Sequence, residues 1–537
     1  MSLRLTRPAS RALATSLALG VVLALGACAP TKNDAAQPAA SAAQADPNKT
    51  LDQITVGING SLSTLNTAQT GMILNYYVGT SFAEGLVGVD AEGQLVPALA
   101  ESWTQPDDTT WVYQLRDAKF SDGTPVTVED VIFSINLFRD AERSPSTAYY
   151  WPELESVEKT GDREITIKLA GTSATFGWTP SAAAGLYVTS QKSYEAATAW
   201  GSAQDLLVTT GPFKVTEFAP DSHVQLERNA DYWGAAPKAE KLRFDFITDD
   251  STRLLAFQEG KLDLALGVPV DQVAQWEKAE GARIETVSNL SYQGLTFDSN
   301  LAPFDDVHAR NAVAHAIDRT GVVDGILKSN AEVATGITSP EQLALNVGAE
   351  AAASAVAGLP QKEFDLDKAK AELAQSATPE GFTVSLTYPD SDPNLGKVSL
   401  ALAENLKELG ITLDVKEIPS SQWGAELGNG EQPVSWMSYT PPVPTDWPTD
   451  WLLGEWNPAL FSDPAIFELQ AKAATTTDPA ERVDSVIEAT RLALEETYYA
   501  PVFWGTSTTA VGPRVVAEDF TSYFFLTSWP GRIAATS

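Results

Sequence analysis

Apolar positions begin to recur at Leu51, where Ile54, Val56 and Ile58 alternate with smaller or polar residues, as in a half-buried strand. From there to the C-terminus apolar strands interleave with amphipathic helices, the pattern of a mixed α/β protein. One helix is well marked. Thr127 is a candidate N-cap with Asp130 three residues on, a capping-box spacing. Val128, Val131, Ile132, Ile135 and Phe138 then fall on one face. A second helix is expected over Asp306 to Asp318, with Ala309, Ala312, Val313, Ala316 and Ile317 as a packing stripe. Leu115 to Pro125 reads as a strand, a tight glycine turn and the start of a helix. No repeat at solenoid or propeller periods is visible.

The region before Leu51 has a different character. Arg4, Arg7 and Arg11 precede an apolar run from Leu13 to Ala27 that is too short for a comfortable membrane span. The run ends Leu25-Gly26-Ala27-Cys28, which resembles the lipobox cleaved from bacterial lipoprotein precursors, although Gly26 is a less usual residue there. That resemblance implies a signal peptide over 1–27, with Cys28 as the lipidated mature N-terminus. An ordinary secretory signal that happens to contain a cysteine is the plainer alternative. Residues 28–50 are rich in Ala, Gln, Asp and Pro, bury too little to offset their ordering entropy, and read as a flexible tether.

Composition removes several function classes. The 537 residues carry 36 Lys+Arg against 70 Asp+Glu, a net charge of −34, which argues against nucleic acid as a partner. One cysteine excludes a disulfide framework and any Cys-rich metal site. The three histidines, His223, His308 and His315, form no HExxH, and no phosphate-binding or nucleophile-elbow motif is present. His308 and His315 share a helix face but lie about 10 Å apart along its axis, too far to hold one ion together. No metal and no cofactor are expected.

The blocks LVPALAESW (Leu95 to Trp103) and WVYQLRDAKFSDGTPVTVEDVIFS (Trp111 to Ser134) closely resemble the signature of family 5 extracellular solute-binding proteins. These are the peptide- and nickel-type binding components of ABC importers. TGPFKV (Thr210 to Val215), LERNADYWG (Leu226 to Gly234), PFDDVHARNAVAHAIDR (Pro303 to Arg319) and LAENLKELGITLDVKEI (Leu402 to Ile418) follow in the family's order. The resemblance covers nearly all of the chain after residue 51. It implies an α/β, two-lobed fold of the periplasmic-binding-protein type with an extra inserted domain (cluster C), closing by a hinge over its ligand. One discontinuous lobe would combine 51–85, 203–292 and 506–537. An inserted domain would span 86–202 and a second ligand lobe 293–505, with hinges near Tyr292 to Phe297 and Ala500 to Gly505. The signature blocks themselves are expected to hold the fold and touch no ligand.

The resemblance further implies a non-enzymatic monomer, anchored by lipid to the outer face of the cell membrane. It would deliver a small peptide, or another small-molecule ligand, to permease and ATPase subunits. Peptide-binding members hold the ligand's amino terminus with an aspartate shortly after a Trp-containing strand. Here that region reads WMSYTPPVPTDWPTDWLLGEW (Trp436 to Trp456), and the family's Trp-x-x-Asp spacing is not reproduced. Asp446, in an Asp446-Trp447-Pro448 run similar to the family's Asp-Tyr-Pro, is the favoured anchor, with Asp450 as its substitute; a turn with solvated aspartates is the plainer reading. Trp423, Trp436, Tyr439 and Trp447 join the candidate binding set, and Trp451, Trp456, Tyr149, Tyr150 and Trp151 could add aromatic walls. The arginine that dipeptide binders use for the ligand carboxylate has no counterpart in Tyr388 to Asp392. Oligopeptides are therefore the first expectation, and an oligosaccharide or other polar metabolite the second. A secreted glycoside hydrolase using Asp446 and Asp450 as a carboxylate pair is a remote third.

Overall fold

The computed structural model describes residues 44–71, 73–441 and 443–537. The signal segment, Cys28 and most of the expected tether lie outside them. The end of the tether does not: Asp46 N–H donates to the Ala535 carbonyl and Ser537 N–H to that of Gln44, so the chain is fixed to its own C-terminus from Gln44 onward.

Among the described residues nine strands form one mixed sheet. Its order runs Val434–Tyr439, Arg283–Phe297, Tyr499–Val511, Leu264–Leu266, Leu51–Ile58, Ala239–Phe246, His223–Arg228, Phe213–Ala219, with Ala331–Val333 also paired to Tyr499–Val511. Leu51–Ile58 is not the half-buried strand its alternation suggests. It lies in the sheet interior, parallel to both Ala239–Phe246 and Leu264–Leu266, and every residue from Ile54 to Ile58 is buried. Interior strands covered on both faces lose the polar alternation of an exposed sheet.

A second, four-stranded antiparallel sheet is built by Ala100–Asp107, Thr110–Leu115, Glu164–Leu169 and Leu154–Gly161. The helix Val128–Phe138 packs beside it, entered by the expected reciprocal capping box between Thr127 and Asp130. Residues of this insert, such as Tyr113, Ile135 and Ile167, share one hydrophobic core with Ile54, Phe244 and Trp529. Residues between Tyr292 and Trp504 make two further cores. Within this latter region Thr383–Pro389 and Thr412–Ile418 pair in parallel across the helix Pro393–Lys407, whose start combines an Asp392 cap with Pro393 at the first position.

Three of the signature blocks meet at one place. The Arg116 side chain donates to the Ala98 carbonyl and lies 3.5 Å over the Trp233 ring. The Trp233 indole N–H and the Tyr232 hydroxyl in turn donate to the Glu84 carboxylate, at 3.1 and 3.2 Å. Burial pushes the Glu84 carboxyl up to about 7, against the opposing pull of those hydrogen bonds and of Arg116.

Two long strands, Arg283–Phe297 and Tyr499–Val511, carry the chain between the cores. Their ladder shifts register between Gln293 and Gly294, within the expected hinge residues, and is also broken just before them, between Ser288 and Tyr292. Leu290 there adopts φ +60°, and Gly505 opposite has no room for a side chain, since a Cβ would meet Ser291 Oγ at 2.4 Å.

Candidate functional site

The strand Val434–Tyr439 delivers the chain to the candidate site. Its Trp436 is buried and donates its indole N–H to Ser399 Oγ at 2.8 Å. After Tyr439 the backbone turns through a proline-rich loop into the short helix Pro448–Leu452. That turn is clamped from below. Arg482, on the helix Pro479–Glu495, stacks 3.8 Å over the fully buried Trp447 ring and donates to the Thr445 carbonyl at 3.2 Å. Its Nη2 also stands 3.7 Å from Asp450 Oδ2. Asp450 further accepts from Gln470 Nε2 at 2.8 Å and from the Trp447 N–H at 3.2 Å. This carboxylate is fully employed within the fold.

Asp446 is in the opposite situation. It lines a cavity of about 610 Å³ together with Tyr149, Tyr150, Trp451, Trp456 and Gln470. Burial pushes its carboxyl up to about 7, and the neighbouring Asp450 charge adds to the rise. Polar groups of Tyr439, Trp451 and Tyr150 face it and partly offset that push. Even so, Asp446 Oδ2 is sealed from solvent with no hydrogen-bond partner, and so is the Tyr150 hydroxyl. Buried polar atoms are rarely left unpaired, so such a pair marks a place where an incoming donor is needed. Trp451 meets Tyr149, Trp456 and Tyr439 at ring separations of 5.6, 5.9 and 6.3 Å, forming an aromatic wall.

One residue beyond Tyr439, Thr440 lines a second cavity of about 650 Å³. Asn59, Tyr77, Asn289, Thr506 and the Asp390-Ser391-Asp392 run face it as well. The cavity contains a cation, Lys397, whose Nζ is 2.8 Å from Asp271 Oδ2. The two spaces therefore flank the end of one edge strand, one bearing an unpartnered carboxylate and the other an ion pair.

The profile of the bacterial extracellular solute-binding proteins, family 5 (Middle), matches residues 94–458. This chain belongs to that family. The family 5 protein is 25% identical to the probable D,D-dipeptide-binding periplasmic protein DdpA of Escherichia coli K12 over 425 residues, 77% of this chain and 79% of that one. It is also 25% identical to the glutathione-binding protein GsiB of the same strain over 467 residues, 84% and 88% of the two chains. Its fold matches that of DppA from Helicobacter pylori, solved with the peptide STSA, at a TM-score of 0.77 and 21% identity, covering 91% of this chain and 99% of that one. It is thus an α/β solute-binding protein of the periplasmic-binding type, serving as the substrate-binding component of an ABC importer. The relatives named here are binding proteins rather than enzymes.

Of the residues singled out from sequence, this solute-binding protein brings Asp446 and Asp450 to the first cavity, with Trp451, Trp456, Tyr149 and Tyr150. Tyr439 sits behind Trp451, half-buried. Trp436 and Trp447 are packing residues, the first beneath the helix Pro393–Lys407 and the second under Arg482; Trp423 packs against the same core as Trp436, and Trp151 is buried as well. An aromatic-rich stretch cannot by itself show which rings turn inward. Two residues carry no distinguishing signal in the sequence. Arg482 looks like any exposed helix arginine, and Lys397 lies beyond the Tyr388 to Asp392 run that lacks the dipeptide binders' arginine. His308 pairs with Glu372 at 2.7 Å and His315 with the Glu363 carbonyl at 2.7 Å. Among the described residues no group of three His, Cys, Asp or Glu side chains could hold a metal, and no helix is long and apolar enough to cross a membrane.

Proposed function

We propose that this protein captures oligopeptides outside the membrane and delivers them to an ABC permease driven by separate ATPase subunits. The observation that carries the reading is Asp446: a carboxylate in a cavity wall whose buried Oδ2 has no hydrogen-bond partner suits the ammonium of a peptide's amino terminus. The names of DdpA and GsiB, and the peptide held by DppA, agree with a peptidic ligand. The run Tyr388 to Asp392 offers no arginine for a ligand carboxylate, so only one end of the ligand is clamped and chains longer than two residues are accommodated. The crowding of Tyr149, Trp451 and Trp456 supports an oligosaccharide as the second reading, since flat rings also stack on sugars. No chemistry is assigned to the site, because Asp450 is bound to Arg482 and Gln470 and is not free to act as the partner of Asp446 in hydrolysis.

The segments 51–85, 203–292 and 506–537 act as one lobe bearing the insert 86–202, and 293–505 as the other. The separate cores support this division, with the pivot at Asn289 to Ser291 and Gly505, where the ladder breaks. The protein works as a lipid-anchored monomer through Cys28. Cys28→Ser is expected to move it from the membrane fraction to the medium on cell fractionation; unchanged membrane association would remove the anchor. Ligands extracted under denaturing conditions from protein expressed from about Asp46 test the substrate reading by mass spectrometry. A ladder of short peptides is expected, and a single sugar-like mass would replace peptides with the second reading.

A further inference from the structure

The walls of the Asp446 cavity carry more carboxyl groups than one ammonium needs. Besides Asp446 and the Arg482-bound Asp450, Glu153 and Glu455 line the same space. Glu153 is half-buried and Glu455 exposed at the rim, and among the described residues neither meets a cation or a side-chain hydrogen-bond donor. Arg482, which also lines the cavity, is turned toward Asp450, the Thr445 carbonyl and the Trp447 face, although its Nε is buried without a partner. Gln470, 7% exposed, has its Oε1 unpartnered, as are Asp446 Oδ2 and the Tyr150 hydroxyl in the same lining. All three of these atoms accept hydrogen bonds.

The rest of the lining is aromatic and partly bare. Tyr149 and Trp456 are 44% and 55% exposed at the mouth, with Trp451 in edge contact with both. Aromatic faces next to carboxylates favour cations, which gain from the ring quadrupole and from the charge together. At about 610 Å³ the space is larger than a terminal ammonium requires and admits a long side chain as well.

We infer that this cavity is a specificity pocket for a cationic side chain, so that the protein prefers peptides whose first residue is arginine or lysine. The inference rests on the peptide reading above and names the class of peptide within it. The ammonium is taken by Asp446, while the guanidinium or lysine head lies among Tyr149, Trp451 and Trp456 and is neutralised by Glu153 and Glu455.

The test uses the purified full-length chain and three tetrapeptides: Arg-Ala-Ala-Ala, its citrulline analogue of the same shape without the charge, and Ala-Ala-Ala-Ala. Calorimetric titration is expected to show the arginine peptide binding at least tenfold more tightly than the citrulline one. Glu153→Gln and Glu455→Gln, the latter at an exposed position that tolerates substitution, are expected to erode that ratio by weakening the arginine peptide more than the citrulline one. Equal affinities for all three peptides would overturn the cationic pocket and leave the peptide reading standing. Absence of binding by any of them would overturn both. A preference for the citrulline or alanine peptide would assign the pocket to neutral side chains.

Discussion

Replacing Asp446 with asparagine is expected to weaken peptides with a free amino terminus at least tenfold and, at the same time, to stabilise the empty protein above pH 7. The first effect follows from losing one charge-assisted hydrogen bond in a closed site, about 1.5–3 kcal/mol, where about 1.4 kcal/mol is a factor of ten. The second follows from the position of the carboxyl, pushed up to about 7 from an ordinary 3.8. Between those values the folded state keeps a proton that the unfolded state has lost, so stability falls as pH rises from about 4 to about 7 and is flat beyond. The asparagine variant lacks this slope, and its advantage at pH 8 is on the order of 4 kcal/mol. Wild-type affinity for an ammonium should rise across the same window as Asp446 ionises. It should then fall as the ligand's own amino group loses its proton near pH 8. Calorimetry and thermal melts at pH 5 and pH 8 read both effects. A variant that loses affinity and stability together would make Asp446 a structural residue instead.

Arg482→Met is expected to cost roughly 2–3 kcal/mol of folding stability, because it removes the counter-charge of the partly buried Asp450 and leaves the Thr445 carbonyl without its donor. The arginine ties the turn that carries Asp446 through three contacts: the Asp450 carboxylate, the Thr445 carbonyl and the Trp447 ring. Methionine replaces most of the volume and none of the polar contacts, so the loss is electrostatic rather than a cavity. Adding Asp450→Asn should recover part of it by removing the stranded charge. Urea denaturation of the single and double variants measures both steps. A single variant within about 1 kcal/mol of wild type would mean that the turn holds itself without the clamp.

Much of this fold is legible in the sequence where one local rule decides the outcome. The Thr127 and Asp130 box fixes the start of a helix by reciprocal hydrogen bonds between neighbours, and it forms as read. The stripe from Ala309 to Ile317 is buried throughout, although the helix itself is shorter than expected, Val307–His315, capped by Asp306. The strand Leu51–Ile58 was harder, because its burial depends on neighbours about 190 and 210 residues away that local alternation does not encode. The same limit applies at the site. Asp446 stands out in sequence because it sits in a motif, but the division of labour between two nearby aspartates does not. That division is set by Arg482, Gln470 and the packing of Trp447, all supplied by tertiary structure. Nor could the sequence separate the tryptophans. Trp451 and Trp456 face the cavity while Trp436 and Trp447 lie in the core, although all four fall within 21 residues from Trp436 to Trp456.

The capture of a peptide by its amino terminus is tested most directly by calorimetric titration of the wild-type chain at pH 7. The two probes are one pentapeptide with its amino terminus free and the same pentapeptide acetylated. The free form should bind and the acetylated form should bind at least tenfold more weakly, because acetylation removes the charge that Asp446 meets. Equal affinity for the two forms would contradict an ammonium anchor at Asp446 and turn the search toward ligands held by the aromatic wall alone.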